Sequence, residues 1–481
     1  MAFDRRDVDG FFIDGSLQAP SSTDRVNVVH PANEEIVGSV PKATPDDMAA
    51  ATAAARRAFD EGPWPHTPPA ERAEMLGAIA DGLEKRIDEL AWLSTAQNGM
   101  PITLARQSQG IELLRFYADI SKDVPWEERR RGLSGTGLVR RTPVGVAGLI
   151  VPWNAPSLLM NKLPAALMAG CTTVIKPSPE TPLDTYVLAD VLQDVGLPPG
   201  VVNIVAGDAT VGQHLVDDPA VDKISFTGST EAGRKIMARL ADRIGRVSLE
   251  LGGKSASILL DDAPLDAALP VTMAGSCLNN GQACIALSRV LVPRSRYQEV
   301  VDTLAAMVGG LPVGDPFDEA TFVGPVLNAR QRDRALNYIE IGKAEGARVV
   351  AGGGKVPDRD KGFWVQPTVL ADVCNDMRVA QEEIFAAVIS VIPYDGGDDA
   401  AVSMANESSY GLSGAVWSGD PQRALDVARK VRTGTITVNG FTYDVGLPFG
   451  GFKQSGVGRE WGLEGLEAYV EYQTVNLPEG L

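Results

Sequence analysis

A regular alternation of apolar runs and helix-like segments, which begins near residue 142, constrains the fold more than any other feature of the sequence. Val144–Val151 is continuously apolar, as expected of a strand buried on both faces of a parallel sheet. The elements predicted after it are helices at Ser157–Ala169, Leu183–Asp194 and near Val211–Val216, and strands at Thr172–Ile175, Val201–Val205 and Lys223–Phe226. This alternation predicts a doubly wound α/β domain.

A second α/β region is predicted from about residue 255 to 465. Its strand candidates are Arg289–Val292, Val388–Ile392, Ser413–Trp417 and Thr435–Val438. Phe11–Gly15 reads as a strand that runs into a turn, residues 45–120 are predicted to be helical, and residues 352–362 a loop or hairpin. A chain of 481 residues exceeds one compact core, so two or three domains are expected.

Residues 121–140 are strongly charged and then glycine-rich, and Ala468–Val475 alternates as an edge strand would. We interpret the first segment as an exposed arm or connection. Its charges fit either a solvated surface or a contact between subunits.

The net charge and the spacing of the cysteines and histidines argue against several classes of partner and site. The net charge of −18 argues against nucleic acids and anionic membrane surfaces, since both require basic patches. The four cysteines form no CxxC pair, and the three histidines lie far apart, so we expect no metal site and no disulfide framework. Residues 1–10 lack the apolar core of a signal peptide, and no apolar run of about 18 residues predicts a membrane span. A cytoplasmic, reducing location is therefore expected.

Cys284 stands in Asn279–Ala286 among small and amide residues, without a neighbouring cysteine or histidine. Free cysteine most often fills buried space as a small hydrophobe. The alternative role is that of a nucleophile.

Two segments are candidates for binding a nucleotide. Phe226–Gly233 lies where a strand gives way to a helix, and the N–H groups of a helix start bind phosphate. Lys176 follows the preceding strand, at the edge where parallel sheets bind ligands. Each could equally be an ordinary junction or a surface lysine, and neither matches the GxGxxG fingerprint.

Two more residues suit carbonyl chemistry. Asn154 ends the first strand of the α/β unit and could donate its amide to an oxyanion, although a turn-capping role is as plausible. Glu250 precedes two glycines, where apolar neighbours could raise its pKa toward that of a working base. An ordinary turn glutamate is the alternative.

Together these segments resemble the aldehyde dehydrogenase superfamily over essentially the whole chain. The resemblance rests on PWN, KPSPETP, FTGSTEAG, ELGGK, GQAC, EEIF and PFGGFKQSGVGRE, in that order and spacing. It implies that Cys284 is the nucleophile, Glu250 the general base, and Asn154, with the backbone N–H of Cys284, the oxyanion hole. The residues that it implies for cofactor binding are Pro152, Trp153, Lys176, Gly207, Phe226, Gly228, Ser229, Leu251, Glu383 and Phe385.

The resemblance also implies a reaction. A thiolate adds to the aldehyde carbonyl, hydride passes to a nicotinamide, and a carboxylate activates water to release the acid from a thioester. No metal is needed. Because relatives that transfer the acyl group to CoA typically lack the base, Glu250 favours a free carboxylic acid as the product. A CoA-acylating enzyme and a catalytically silent binding protein of the same fold remain as alternatives.

Three departures from the family pattern bear on specificity. A ribose-binding glutamate is common in NAD-preferring relatives where Pro179 stands, with Glu180 following here. A 2′-phosphate would therefore meet less repulsion and NADP stays open, although NAD is favoured. Gly-Pro usually follows Glu383-Ile384-Phe385, where this chain has Ala386-Ala387. Ala155 replaces a bulky aromatic residue in a segment that is one residue short, which favours a wider tunnel and a bulkier or apolar aldehyde.

The implied fold has two doubly wound parallel α/β domains and a small β oligomerisation arm. Residues 1–120 and 141–251 would form the dinucleotide-binding domain, residues 252–466 the catalytic domain, and residues 121–140 and 467–481 the arm. The family forms dimers or tetramers, so a homo-oligomer is expected, and a homotetramer is favoured.

Overall fold

The computed structural model describes residues 5–478. Residues 1–4 and 479–481, which the domain prediction includes, lie outside the described part. The elements up to residue 143 are β1 (Arg6–Asp7), β2 (Phe11–Ile13), β3 (Ser16–Gln18), β4 (Arg25–Val29), β5 (Ile36–Pro41), α1 (Pro45–Asp60), α2 (Pro69–Glu84), α3 (Ile87–Asn98), α4 (Ile102–Gln107), α5 (Ile111–Ile120), β6 (Glu127–Arg131) and β7 (Thr136–Pro143).

The α/β unit predicted from residue 142 is present. Its elements are β8 (Val146–Ile150), α6 (Leu163–Ala169), β9 (Thr172–Lys176), α7 (Leu183–Asp194), β10 (Val202–Ile204), α8 (Ala209–Asp217), β11 (Lys223–Thr227), α9 (Thr230–Ala241) and β12 (Arg246–Glu250). Strands β8, β9, β10, β11 and β12 run parallel, in an 8-stranded sheet. With β20 (Gly456–Val457) at one end, its order is β20-β12-β11-β8-β9-β10-β2-β3. Strands β8 and β9 are buried along their whole length, as a parallel sheet covered on both faces requires.

The single helix predicted at Ser157–Ala169 is wrong. The chain forms a 3-10 helix at Pro156–Asn161 and a separate helix α6, and Lys162 lies between them. Pro164 lies in the first turn of α6, where a missing N–H costs nothing, whereas in the interior of a longer helix it would remove a hydrogen bond.

The second region contains β13 (Ala256–Leu259), α10 (Leu265–Cys277), β14 (Arg289–Pro293), α11 (Tyr297–Gly309), α12 (Ala329–Ala344), β15 (Arg348–Ala351), β16 (Thr368–Ala371), α13 (Arg378–Gln381), β17 (Val388–Tyr394), α14 (Gly397–Asn406), β18 (Gly414–Trp417), α15 (Pro421–Ala428), β19 (Thr437–Val438), β20 (Gly456–Val457), α16 (Gly462–Glu467) and β21 (Val470–Asn476). Its 7-stranded sheet has the order β15-β16-β17-β14-β13-β18-β19. All of its pairings are parallel except that of β15 with β16.

Two connections join these sheets. Leu251–Ser255 leads from β12 of the first sheet into β13 of the second, and β20 returns to pair with β12. Strand β21 pairs with β7, which pairs with β6, so the charged segment after residue 121 and the alternating C-terminal segment form a three-stranded antiparallel sheet. Its outer strands, β6 and β21, are edge strands within the described chain.

The turn before Cys284 has an unusual backbone. Asn279 and Asn280 adopt positive φ angles of 49° and 61°, a region that asparagine tolerates better than most residues. Gly281 follows with φ 78°, and a Cβ at this position would lie 2.0 Å from the carbonyl carbon of Ala386. Only glycine can therefore let this turn pack against the segment that follows Phe385.

We predict that Gly281→Ala lowers the stability of the fold by more than about 2 kcal/mol, because the added methyl group meets backbone that cannot move aside. Thermal unfolding of the purified variant measures this. Gly77→Ala is the matched control, since Gly77 lies in helix α2 and a Cβ there meets nothing within 4 Å. An unfolding temperature of Gly281→Ala equal to that of Gly77→Ala would contradict the close packing of Gly281 against Ala386.

Candidate active site

The segments predicted to hold Asn154, Lys176, Ser229 and Glu250 meet at the carboxyl ends of the parallel strands of the first sheet. Ile150 lies beside Lys176 in the register of β8 and β9, and Phe226 lies beside Ile150 in that of β11 and β8. Thr227 in turn pairs with Glu250 at the end of β12. From β8 the chain adds β9 and β10 on one side of the sheet and then β11 and β12 on the other. The carboxyl ends of β8 and β11 therefore form the topological switch point, where open α/β sheets bind ligands.

Cys284 lies in the loop between α10 and β14 and remains partly exposed. Burial, followed by the negative charges of Glu383 and Glu250, raises the pKa of its thiol to about 12. The resting side chain is therefore a neutral thiol, and nucleophilic attack requires that its proton be removed or its thiolate stabilised.

Asn154 is buried beside this loop. Its side-chain Nδ2 donates to the backbone carbonyl oxygen of Gln282 at 2.9 Å. The backbone carbonyl oxygen of Asn154 accepts from Nδ2 of Asn279 at 2.7 Å. An amide nitrogen carries two hydrogens, so one N–H of Asn154 is left for a further acceptor near Cys284.

Glu250 is 4% exposed, and neither of its carboxylate oxygens has a hydrogen-bond partner within residues 5–478. Burial, reinforced by the charge of Glu460, raises the pKa of Glu250 well above its ordinary value, and Lys162 and Arg459 oppose this effect only partly. Gly253 joins this region to Cys284, because a Cβ on it would lie 2.1 Å from the carbonyl oxygen of Cys284. A buried carboxyl group with a raised pKa and free oxygens is suited to act as a general base.

The sequence analysis missed a buried ion pair at this site. Lys162 Nζ donates to Oε1 of Glu460, and the two residues are 0% and 3% exposed. Glu460 Oε2 has no partner among the described residues. The motif that contains Glu460 contributed to the resemblance, but the separation of 298 positions along the chain hides the pairing.

Lys176 is enclosed at the end of β9. Its Nζ donates to the carbonyl oxygens of Pro177 at 3.0 Å and Gly207 at 2.7 Å. Burial lowers the pKa of Lys176 to about 8, and the carboxylates of Glu180 and Asp208 counteract this change. Ser178 Oγ donates to Glu180, so the acidic side chain is drawn back toward the lysine.

Ser229 is exposed and caps α9, where its Oγ accepts from the N–H of Ala232 at 3.3 Å. Gly228 donates its N–H to the carbonyl oxygen of Glu250 at 3.0 Å. In contrast, the side chains of Phe226 and Leu251 are buried in the apolar core beneath the site. Those two residues can therefore offer a ligand only backbone groups.

The remaining predicted residues border the same cleft from both sides. Pro152 and Trp153 are half-buried, and the ring of Trp153 meets that of Phe385 edge-on at 5.3 Å. Phe385 has a φ of 65°, so the segment leading to Ala386-Ala387 makes a left-handed turn. Glu383 Oε1 accepts from the N–H of Gly253 at 3.1 Å, and burial raises the pKa of Glu383 to about 7.

These residues suit a dinucleotide. The N-terminus of α9 offers N–H groups to phosphate, and Lys176 and Glu180 lie at the adjacent strand end. Glu383, held by the N–H of Gly253, lies near Cys284. No group of three or more His, Cys, Asp or Glu side chains within residues 5–478 could hold a metal ion. In the same part of the chain, no helix has the length and apolarity to cross a membrane.

Comparison with known sequences extends the resemblance. The aldehyde dehydrogenase family model matches residues 18–475. A geranial dehydrogenase from Castellaniella defragrans is 49% identical over 471 residues, which cover 97% of this chain and 98% of the relative. A 3-succinoylsemialdehyde-pyridine dehydrogenase from a Pseudomonas species is 42% identical over 482 residues, which cover 99% of this chain and 100% of the relative.

Solved structures match the fold as closely. A Mycobacterium tuberculosis aldehyde dehydrogenase complexed with NAD+ has a TM-score of 0.98 and 45% identity, with 99% of this chain and 100% of that chain covered. A Pseudomonas syringae aldehyde dehydrogenase C mutant, complexed with NAD+ and octanal, has a TM-score of 0.95 and 39% identity, with 98% of each chain covered. Family model, relatives and structures agree, and this chain belongs to the aldehyde dehydrogenase family.

Proposed function

We propose that this chain oxidises an apolar aldehyde to the carboxylic acid with NAD+, through a covalent adduct on Cys284. The observation that carries the proposal is the contact between Gly253 and the carbonyl oxygen of Cys284, which brings the segment after Glu250 against the nucleophile loop. Asn154 reaches the same loop through its bond to Gln282. A thiol, an amide donor and an unpartnered carboxyl group are the parts that this oxidation requires.

In the first half of the reaction, the thiol of Cys284 loses its proton to solvent, its Sγ bonds to the carbonyl carbon, and the carbonyl oxygen becomes an oxyanion. The free N–H of Asn154 and the backbone N–H of Cys284 donate to that oxygen. The bound nicotinamide cation supplies the hydride acceptor and a positive charge that favours the thiolate. Loss of hydride from the adduct leaves a thioester on Cys284.

In the second half, Glu250 takes a proton from water, the hydroxide adds to the thioester carbon, and the C–S bond breaks. The acid leaves and Cys284 is regenerated. Because burial raises the pKa of Glu250, the carboxyl group holds the proton firmly enough to accept it from water. When the C–S bond breaks, Glu250 returns that proton to the sulfur of Cys284, which restores both the thiol and the basic carboxylate.

The substrate proposal rests on the apolar surroundings of Asn154. Ala155 packs with the partly buried Leu104 and Phe317 against a small cluster that contains Met100 and Ile102. A small side chain at Ala155 leaves more room there than the aromatic residue common in the family. The geranial dehydrogenase relative and the octanal complex are consistent with a long or branched apolar aldehyde.

We also propose a cytoplasmic homo-oligomer, in which residues 1–120 and 141–251 bind the cofactor, residues 252–466 carry the nucleophile, and the three-stranded sheet joins subunits. Support comes from the unpaired outer edges of β6 and β21 and from the exposure of Tyr472 and Val475 on β21. A mass measurement in solution distinguishes a dimer from the favoured tetramer.

We predict that Cys284→Ala lowers the rate of NADH formation with octanal or geranial by at least about 10⁴-fold, because no other group can form the adduct. Stopped-flow absorbance should show neither a burst nor steady turnover. Cys374→Ala is the matched control, since Cys374 is exposed and its removal should leave the rate unchanged. Turnover in Cys284→Ala close to wild type would rule out the proposed nucleophile.

We predict that Glu250→Gln lowers steady-state turnover by about 10²–10⁴-fold but keeps the NADH burst, because the acyl group forms and is then not hydrolysed. Wild-type turnover should fall as the pH drops through the raised pKa of Glu250, since only the ionised carboxylate accepts a proton. Glu74→Gln, at an exposed site on α2, is the control. A requirement for CoA in wild-type turnover would instead favour the acylating alternative.

We predict tighter binding of NAD+ than of NADP+, since a 2′-phosphate near Lys176 would meet the carboxylates of Glu180 and Asp208. Glu180→Gln should tighten NADP+ binding roughly tenfold and leave NAD+ binding nearly unchanged. Calorimetric titration of the apoenzyme measures both affinities, and Glu340→Gln, beside Lys343 on the surface, is the control. Equal effects of the two substitutions on NADP+ would contradict this role for Glu180.

A further inference from the structure

The backbone carbonyl group of Trp153 is held by two buried side chains that have no role in the steps of the proposed oxidation. Nδ2 of Asn98 donates to the carbonyl oxygen at 3.0 Å, and Oγ1 of Thr181 donates to the same oxygen at 3.1 Å. Asn98 is 0% exposed and Thr181 is 1% exposed. Asn98 ends helix α3 and Thr181 lies just before helix α7, so two separate elements converge on the residue next to Asn154.

The peptide group that contains this carbonyl also contains the backbone N–H of Asn154. Because a peptide group is planar, bonds that fix the direction of the Trp153 carbonyl also fix the plane on the N-terminal side of the Asn154 Cα atom. The plane on the C-terminal side is held by Asn279, whose Nδ2 donates to the backbone carbonyl oxygen of Asn154 at 2.7 Å. The φ and ψ angles of Asn154 are thereby set, and with them the direction of its Cα–Cβ bond.

Trp153 and Asn154 need this restraint because they lie beyond the end of a strand. Strand β8 ends at Ile150, and its register with β9 ends where Ile150 lies beside Lys176. Within β8, the ladder of hydrogen bonds to neighbouring strands orients each peptide group. Beyond it, the side chains of Asn98 and Thr181 orient the peptide group that precedes Asn154.

Stability alone does not account for the amide of Asn98. Its Oδ1 is buried and has no hydrogen-bond partner within residues 5–478. An unpaired buried oxygen of this kind costs about 1–3 kcal/mol, and an apolar side chain of similar size would avoid that cost. The bond from Nδ2 to the Trp153 carbonyl is therefore the contribution of this amide that a leucine could not make.

The same end of α3 also contacts the loop that carries Cys284. Gly99 follows Asn98, and its carbonyl oxygen accepts from Nδ2 of Asn280 at 2.8 Å. Gly99 has a φ of 81°, and a Cβ on it would lie 2.8 Å from the carbonyl oxygen of Pro325, so only glycine fits here. Two successive residues at one helix end therefore hold the oxyanion donor and the nucleophile loop in a fixed relation.

We propose that Asn98 and Thr181 are positioning residues, which hold the side-chain amide of Asn154 where the oxyanion forms; this inference rests on the proposed function. Both act through the carbonyl group of Trp153. A displacement of about 1 Å at a reacting centre can cost about 10²-fold in rate, and loss of an oxyanion donor costs about 10²–10³-fold. Because each of the two residues supplies part of the restraint, we expect loss of either one to slow the oxidation about tenfold.

Single-turnover formation of NADH, with enzyme in excess over octanal, tests the proposal. Thr181→Val keeps the shape of the side chain but removes the hydroxyl group, and Asn98→Leu removes the amide. Each should lower the single-turnover rate about tenfold, whereas Thr181→Ser, which keeps the hydroxyl group, should stay within about twofold of the wild type. Thr181→Val carries the test if Asn98→Leu does not fold.

Thr172→Val is the matched control for Thr181→Val. The hydroxyl group of Thr172 is also buried and donates to a backbone carbonyl group, that of Ala55 at 2.9 Å. Thr172 begins β9, whereas the carboxyl end of this strand, at Lys176, adjoins the site. The same chemical change at the far end of the strand should therefore leave the single-turnover rate unchanged.

Alkylation of Cys284 by iodoacetamide, followed through the mass of its peptide, separates the placement of Asn154 from damage to the loop. This reaction forms no oxyanion, so its rate in Thr181→Val, and the affinity for NAD+, should stay within about twofold of the wild type. A single-turnover rate of Thr181→Val within about twofold of the wild type would overturn the inference alone. Equal losses in NADH formation and alkylation would also overturn it, whereas a wild-type enzyme that forms no NADH from aldehydes would refute the proposed function.

Discussion

The site depends on how the loop before Cys284 is held. Asn280 Nδ2 donates to the carbonyl oxygens of Gly99 and Pro325, and its Oδ1 accepts from the N–H of Gly324 at 2.7 Å. Gln282, which is fully buried, accepts the N–H of Leu327 at 2.8 Å. The backbone turn at Asn279 and Asn280 would be strained without these bonds, and they come from both halves of the chain.

Because the loop is fixed to both halves, the groups that act on a substrate are fixed to one another. Asn154 belongs to the first sheet and Cys284 to a loop of the second, and the carbonyl oxygen of Gln282 joins them. Gly253 supplies the corresponding contact on the side of Glu250. A reaction that needs the attacking and accepting groups within about 3–3.5 Å depends on such prior positioning.

Burial then sets the resting charges. The thiol of Cys284 and the carboxyl groups of Glu250 and Glu383 all have raised pKa values, because the low-dielectric interior disfavours negative charge. Neighbouring carboxylates add to this effect, Glu460 for Glu250, and Glu383 and Glu250 for Cys284. The same interior lowers the pKa of Lys176 and of Lys254. A nicotinamide cation therefore enters a site in which several groups can gain negative charge.

Local patterns in the sequence determined much of the fold. The helix predicted at Leu183–Asp194 is found with the same bounds, and the apolar runs that became β8, β9 and β11 identify strands because a parallel sheet buries both faces. The segment Ser157–Ala169 was predicted wrongly, since Pro156 and Pro164 permit two helix starts and only packing decides between them. The motifs also identified the family. Only tertiary structure decided that Lys162 pairs with Glu460 and that Asn154 donates to the carbonyl oxygen of Gln282. These contacts join residues whose partners are set by how the sheets pack, and the order of residues along the chain carries no record of that distance in space.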